Sequence, residues 1–314
     1  MRTKFIAIGE ALVEIMRPAG GQPLDREGIF EGPYASGAPA IFAVAARRLG
    51  AEVTFIGNVG ADAFGWLMRR RLEAEGVNTS GLHIAEGYAT GVAFIAYAED
   101  GSREFVFHLR HAAAGRMGPD QIDPDWFKSV DWLHISGSTL ALNEGCREAC
   151  WKAVQLTKAA GGRLSFDPNL RPELLPVADA RRIFVPFLEA ADLLQPTVGE
   201  AQALSGLEDE QQAAHFLLKG KERVLVFKRG AAGCSLFTVG GRMDVPGFAV
   251  KEVDPTGAGD CFNAGMVLAL QAGYLPERAA RFACSAGALA VSCQGPMEGA
   301  PDWKAVEALL VGGG

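Results

Sequence analysis

Six apolar runs recur along the chain: FIAIG (5–9), VTFIG (53–57), WLHISG (132–137), LSFDPN (164–169), DLLQP (192–196) and RVLVFKRG (223–230). Ala-rich amphipathic stretches at 38–49, 63–75, 144–160, 178–190, 199–205 and 209–219 separate them with helical spacing. A short run that is apolar at every position has no solvent face. Regular alternation of such runs with helices therefore predicts an α/β fold, a doubly wound, mostly parallel sheet with helices on both faces. Ligands of such a sheet collect beyond the carboxyl ends of its strands, where Gly9, Gly57, Gly137, Asp167, Pro196 and Gly230 fall.

One region breaks the alternation. Between 86 and 111 two β-rich runs, GVAFIAYA and REFVFHL, are joined by EDGS (99–102), whose Asp-Gly pair is a hairpin signal. Together with the stretch 12–35 they predict a small antiparallel sheet standing over the strand ends as a lid, able to close on a ligand and exclude water. An edge hairpin with no such role has the same pattern. No internal repeat or interdomain linker is evident, so residues 1–314 are read as a single catalytic domain that carries this lid.

The second constraining feature is DPTGAGD at 254–260, which runs straight into CFNAGMVLALQAG. The apolar residues after Asp260, with no proline before Pro276, predict a packed helix of about three turns. At its start Gly257, Ala258 and Gly259 carry almost no side chain, so their N–H groups and the helix dipole are open to an anion. A carboxylate beside a bound anion is costly unless it has a task, such as taking a proton from an incoming hydroxyl. The ordinary alternative is a Gly-rich turn with Asp as a helix-start residue.

Composition narrows the classes. Hydrophobic residues make up 49% of 314, enough for a large core, and the net charge of −7 disfavours nucleic acid or an anionic membrane surface as partner. The six cysteines show no paired CxxC spacing and lie mostly in apolar runs, as reduced core thiols do. MRTKFIAIGEALVEIM has no signal-peptide pattern, and no apolar run reaches membrane-spanning length. A soluble cytoplasmic protein is expected.

DPTGAGDCFNAG resembles the C-terminal signature of the ribokinase (PfkB-type) carbohydrate kinases, and SGAPAIFAVAARRLGAEVTFIGNVGADAFG (36–65) resembles their N-terminal one. IGEALVEI (8–15), FDPNLR (166–171) and FKRGAAG (227–233) match in order and spacing over nearly the whole chain. The resemblance implies transfer of the ATP γ-phosphate to a sugar hydroxyl with Mg²⁺, on a doubly wound domain capped by a β-sheet lid. A monovalent cation such as K⁺ is a further expectation, as is a homodimer that covers the open edge of the lid sheet. It makes Asp260 the general base and the amides of Gly257, Ala258 and Gly259 the anion hole. Thr256 and Asp254 would support the phosphate and metal region, with Asp254 and Glu200 acting on the metal through water. Lys228 and Gly230 would lie along the ATP phosphates, and Ala286, Gly287 and Ser292 near the adenine. On the sugar side it implies Glu14, Gly37 and Arg110, with His108 or His111 beside it. Asp167, Asn169 and Arg171 would line the path from sugar to phosphates.

Two positions depart from the family pattern. Ile41 stands where many members have an Asn that contacts sugar hydroxyls, and Thr197 replaces the Asn of an Asn-x-x-Glu stretch near the metal. SGAPA leans toward the fructokinases, whereas RHAAAG and GEALVEI lean toward 2-keto-3-deoxygluconate and tagatose kinases. The expected substrate is a keto sugar or keto sugar acid phosphorylated at its primary hydroxyl. A nicotinamide dehydrogenase fails on the missing third glycine of GxGxxG, and a P-loop kinase on the absence of GxxxxGK[ST]. The rivals are a non-catalytic sugar or nucleotide sensor on the same fold and a kinase for a different sugar or a nucleoside.

Overall fold

In the computed structural model, which describes residues 3–18, 22–98, 103–238 and 240–312, the apolar runs become strands buried on both faces. Along the chain the strands are β1 (Lys4–Ile8), β2 (Leu12–Met16), β3 (Glu31–Ser36), β4 (Glu52–Gly60), β5 (Asn78–Ala85), β6 (Gly91–Tyr97), β7 (Arg103–His108), β8 (Trp132–Ser136), β9 (Arg163–Asp167), β10 (Leu193–Leu194), β11 (Val224–Lys228), β12 (Cys234–Thr238) and β13 (Gly241–Val245). The helices are α1 (Ala38–Arg48), α2 (Ala63–Ala74), α3 (Gly137–Leu140), α4 (Glu144–Ala159), α5 (Val177–Ile183), α6 (Val185–Ala190), α7 (Val198–Ser205), α8 (Glu210–Leu218), α9 (Ala258–Gln271), α10 (Pro276–Ala290) and α11 (Trp303–Gly312). In β1, Phe5 and Ala7 enter the core on one face of the sheet, and Ile6 and Ile8 enter the core on the other. Alternate side chains of one run thus serve two cores.

The main sheet has the order β13-β12-β11-β10-β9-β8-β1-β4-β5. It is parallel from β11 to β5, with β12 and β13 added antiparallel. The chain starts at β1, builds outward through β4 and β5, then fills the other side from β8. The order therefore reverses between β1 and β8, the crevice where such sheets take ligands. Gly57 does not mark a strand end as expected: β4 runs on to Gly60, and a Cβ at Gly57 would come within 2.4 Å of the Gly9 carbonyl oxygen. The helix expected at 178–190 is broken into α5 and α6, because Pro186 lies in the first turn of α6 and has no N–H to continue α5.

α9 is longer than expected, 14 residues or about four turns, and Cys261 to Ala269 are all buried between α1 and α10. Gly265 explains the close crossing: a Cβ there would stand 3.1 Å from Ala283 Cα and 3.1 Å from Ala286 Cβ. Buried on every side, this helix holds its N-terminus rigidly at the crevice.

β3, β2, β6 and β7 form the separate lid sheet in that order. It is not wholly antiparallel as expected. β2 pairs with β6 in parallel, while β2–β3 and β6–β7 are antiparallel. The reason lies in the main sheet: β2 continues from the end of β1 and β6 from the end of β5, and both strands leave the same edge of a parallel sheet. Residues 99–102, the expected hairpin turn, and 19–21 of the expected lid segment lie outside the described residues.

Candidate active site

The 254–257 turn is tied down from within. Asp254 Oδ1 accepts from Thr256 N at 2.9 Å, and its Oδ2 accepts from Gly295 N at 2.9 Å. Gly257, at φ 80°, caps α9 in the left-handed region that favours glycine, and a Cβ on it would meet the Pro296 carbonyl oxygen at 2.2 Å. Among the described residues the amides of Gly257 and Gly259 have no protein acceptor, whereas Ala258 N makes a long 3.4 Å contact to Pro255 O. Above Gly259 the space is open: within 4 Å of an added Cβ lies Lys228 Nζ, at 3.7 Å. Unpaired amides, a helix dipole and an ammonium group thus converge on one open point, an arrangement suited to an anion.

Asp260 sits in the first turn of α9, half-buried, and among the described residues its carboxylate makes no hydrogen bond. Burial pushes its pKa well above the usual carboxylate range, and the Asp167 charge pushes the same way. Lys228 and Arg171 oppose that rise, and Glu10 adds to it. Five charged groups from separate parts of the chain therefore face each other here. Asp167 Oδ2 accepts from Lys228 Nζ at 2.6 Å and from Asn263 Nδ2 at 2.6 Å, so the ends of β9 and β11 are clamped to α9. Cys261 is buried, and burial raises its thiol pKa, which excludes it as a thiolate nucleophile.

Beneath the crevice runs a second network. Ser138 Oγ donates to Glu10 Oε1 at 2.6 Å and Thr139 Oγ1 to Glu10 Oε2 at 2.5 Å. Ser138 also bonds Ser136 Oγ at 2.7 Å, which accepts from Asn169 Nδ2 at 3.0 Å. Asn169 holds φ 37° while its own N–H reaches Asp167 Oδ1 at 3.2 Å. Glu10 and Asn263 were absent from the sequence expectations. Each had a signal: Glu10 is an acid directly after the first strand, and Asn263 lies three residues beyond Asp260 on one helix face.

The lid supplies the other wall. Glu14, Ala93 and Phe107 are in register, so they share a face, and with period two so do Ile95, Tyr97, Arg103 and Phe105. Glu14 is 8% exposed with Oε2 unpartnered, and the Ser36 hydroxyl on the same face of the β2–β3 pair is also buried without a partner. Burial raises Glu14 to about 7, while the neighbouring Ser36 hydroxyl acts to lower it. Asp254 raises it further, while Arg103 and Arg171 lower it. Two unsatisfied polar groups facing a cleft suit a polyhydroxylated ligand.

His108 is a correction. It falls on the opposite face of β7 from Arg103, Phe105 and Phe107, exposed and edge-on to Phe94. Alternation in REFVFHL carried that information; proximity to Arg110 in sequence did not. His111 is likewise exposed. Arg110, two residues past β7, donates to the Leu174 carbonyl in the segment after β9, and in that same segment the Arg171 guanidinium lies 5.9 Å from the Phe105 ring.

The remaining expected residues divide. Gly37, at φ 109° and the start of α1, is required by the backbone, since a Cβ would meet Glu10 O at 2.4 Å. Gly230 is exposed with open space around it. Gly287 abuts the Ala258 carbonyl at the start of α9, but Ala286 is fully buried against Gly265 and offers no surface to a ligand. Ser292 is exposed, and its hydroxyl donates to Leu289 O at 2.6 Å. Ile41 is buried against Gly257 and props the turn from below instead of facing the cleft. Thr197 and Glu200 form a capping box at the start of α7, with Thr197 N to Glu200 Oε2 at 2.7 Å.

Among the described residues no three His, Cys, Asp or Glu side chains cluster as a metal cage. That fits Mg²⁺, which keeps waters and takes phosphate oxygens as ligands. Glu200 Oε1 accepts a single bond, from Leu170 N at 2.7 Å, and keeps a lone pair for a water. Asp254, 4% exposed and already accepting three hydrogen bonds, is committed to the turn.

Residues 2–303 match the description "pfkB family carbohydrate kinase". Fructokinase-2 of Solanum lycopersicum is 32% identical over 98% of this chain and 96% of its own length. The 2-dehydro-3-deoxygluconokinase of Thermoproteus tenax is 33% identical, with 98% and 94% covered. A solved E. coli protein provisionally named ribokinase II, in complex with ATP and Mg²⁺, superposes with a TM-score of 0.91 at 38% identity, covering 99% of each chain.

Proposed function

The chain belongs to the pfkB family of carbohydrate kinases, and from that premise we propose that it transfers the γ-phosphate of ATP to the primary hydroxyl of a keto sugar or keto sugar acid. The observation that carries this is the pairing of an unbonded Asp260 carboxylate with open amides and Lys228 at the start of α9. Phosphoryl transfer to an alcohol asks for a base at the nucleophile and fixed positive charge at the migrating group. Asp260 takes the hydroxyl proton; a carboxylate with an upward-shifted pKa is a stronger base for that step. The amides of Gly257 and Gly259, with Lys228, hold the phosphoryl oxygens. Glu14 and the Ser36 hydroxyl take sugar hydroxyls under the lid, while Arg103, Arg110 and Arg171 supply cations at its mouth. Arginine forks in this number favour a substrate with a carboxylate or several hydroxyl acceptors. Mg²⁺, arriving with the nucleotide and held through water by Glu200, would neutralise phosphate charge.

Among the described residues no helix is long and apolar enough to cross a membrane. All six cysteines are free, which suits a reducing cytoplasm as the site of action. The outer lid surface exposes Ile29 and Val106, 74% and 40% accessible, and this supports a dimer through that sheet.

A coupled ADP assay with Mg-ATP and D-fructose, D-tagatose, 2-keto-3-deoxygluconate, ribose or adenosine, run in KCl and in NaCl, tests the proposal. Turnover is expected with one of the first three. Binding of a sugar without ADP release would overturn it in favour of a sensor.

A further inference from the structure

Tyr97 is the last residue of β6, at the far end of the lid from its roots in the main sheet. Its hydroxyl lies 2.8 Å from Asp254 Oδ1 and 2.6 Å from Thr256 Oγ1. Asp254 Oδ1 in turn accepts from Thr256 N at 2.9 Å. One proton arrangement satisfies the whole set: Tyr97 donates to the carboxylate, which can only accept, and Thr256 donates to Tyr97. Burial and the Asp254 charge both raise the phenol's pKa, so it stays the donor at neutral pH.

The connection runs between two halves of the site. On its own strand Tyr97 lies on the face that also carries Ala93, which is paired with Glu14. Across the gap its partners are the residues that set the backbone immediately before Gly257. Asp254 is 4% and Thr256 6% exposed, so withdrawal of Tyr97 would leave a buried hydroxyl and a buried carboxylate oxygen each short of a partner. Lid position and turn geometry are therefore energetically linked at this point.

We propose that Tyr97 is a positioning residue for phosphoryl transfer, through whose hydroxyl the lid sets the 254–257 turn and with it the amides of Gly257 and Gly259. It touches neither sugar nor phosphate. The joint is already made in this structure, and a lid held down on a sugar keeps it closed, with the anion site in its working geometry. This rests on the kinase reading given above.

The test is Tyr97→Phe in the full chain, which keeps the ring and removes only the hydroxyl. With Mg-ATP and the best sugar of the panel, kcat is expected to fall about tenfold while the sugar KM stays within about twofold, as for a charge-assisted bond that acts on the transition state. Thr256→Val should show a comparable loss, and the double variant should be no worse than the poorer single one, because both break one joint. Thermal melts of all variants establish that they are folded. An unchanged kcat in Tyr97→Phe, a rise in sugar KM alone, or losses that multiply in the double variant would each overturn the proposal. A wild type that phosphorylates none of the panel sugars would instead fail the kinase reading itself.

Discussion

Lys228 Nζ lies 2.6 Å from Asp167 Oδ2, in an ion pair whose side chains are 11% and 4% exposed. The same ammonium stands 3.7 Å from the point where a side chain on Gly259 would begin. One cation therefore faces a carboxylate on one side and the open start of α9 on the other, while also lowering the pKa of Asp260. In the proposed reaction an arriving phosphate would compete with Asp167 for this charge, and Asn263, which donates to the same carboxylate oxygen, would keep Asp167 satisfied.

Removing that cation should be expensive. Lys228→Met leaves Asp167 buried beside Asp260 without its counter-charge, and a loss of about 3–5 kcal/mol in unfolding free energy is expected from urea titration. Adding Asp167→Asn to Lys228→Met should restore part of it. If Lys228→Met alone is as stable as wild type, the pair does not hold this site together.

Gly259→Ala separates folding from function. The position is open and lies within α9, where Ala is favoured over Gly by up to about 1 kcal/mol, so the melting temperature should hold or rise. The new methyl would occupy the anion site, and kcat/KM for ATP should drop on the order of a hundredfold. Retained turnover would move the phosphate elsewhere.

Glu14 is expected to make sugar binding depend on pH. Raised to about 7, its carboxyl is protonated below neutrality in the free protein, whereas sugar hydroxyls donating to it favour the ionised form. The sugar KM should therefore rise about tenfold per pH unit below 7 and level off above it. Glu14→Gln should weaken binding and flatten that profile. The stability contributed by this group has the opposite trend: it is full below the unfolded pKa of 4.5 and lost as pH rises through 7, measurable as a melting temperature that falls over that window unless Glu14 is replaced. A sugar KM independent of pH in wild type would remove Glu14 from the sugar site.

Asp260→Asn keeps the shape of the helix start but cannot take a proton. Its kcat should fall by about 10²–10⁴-fold, with sugar affinity by calorimetry retained. Near-normal turnover would mean that another group is the base.

The alternation of β1, β4, β8, β9, β10 and β11 with helices, the glycine-rich start of α9 and the place of Asp260 in its first turn were legible in the chain, because each depends on residues close in sequence: period two, period 3.6, and glycines where a turn needs a positive φ. The strand ends at Asp167 and Lys228 were legible for the same reason. What they would meet was not. The clamp of Asp167 by Lys228 and Asn263, the Glu10–Ser138–Asn169 network and the reach of Tyr97 to Asp254 join positions brought together only by the order of strands across the sheet. The lid shows the reason most plainly. Its faces follow from register, and a shift of one residue exchanges Arg103 and Tyr97 for Glu104 and Ala96. Local sequence could name the alternating sets, but only packing of β6 and β7 against the main sheet decided which set turns inward.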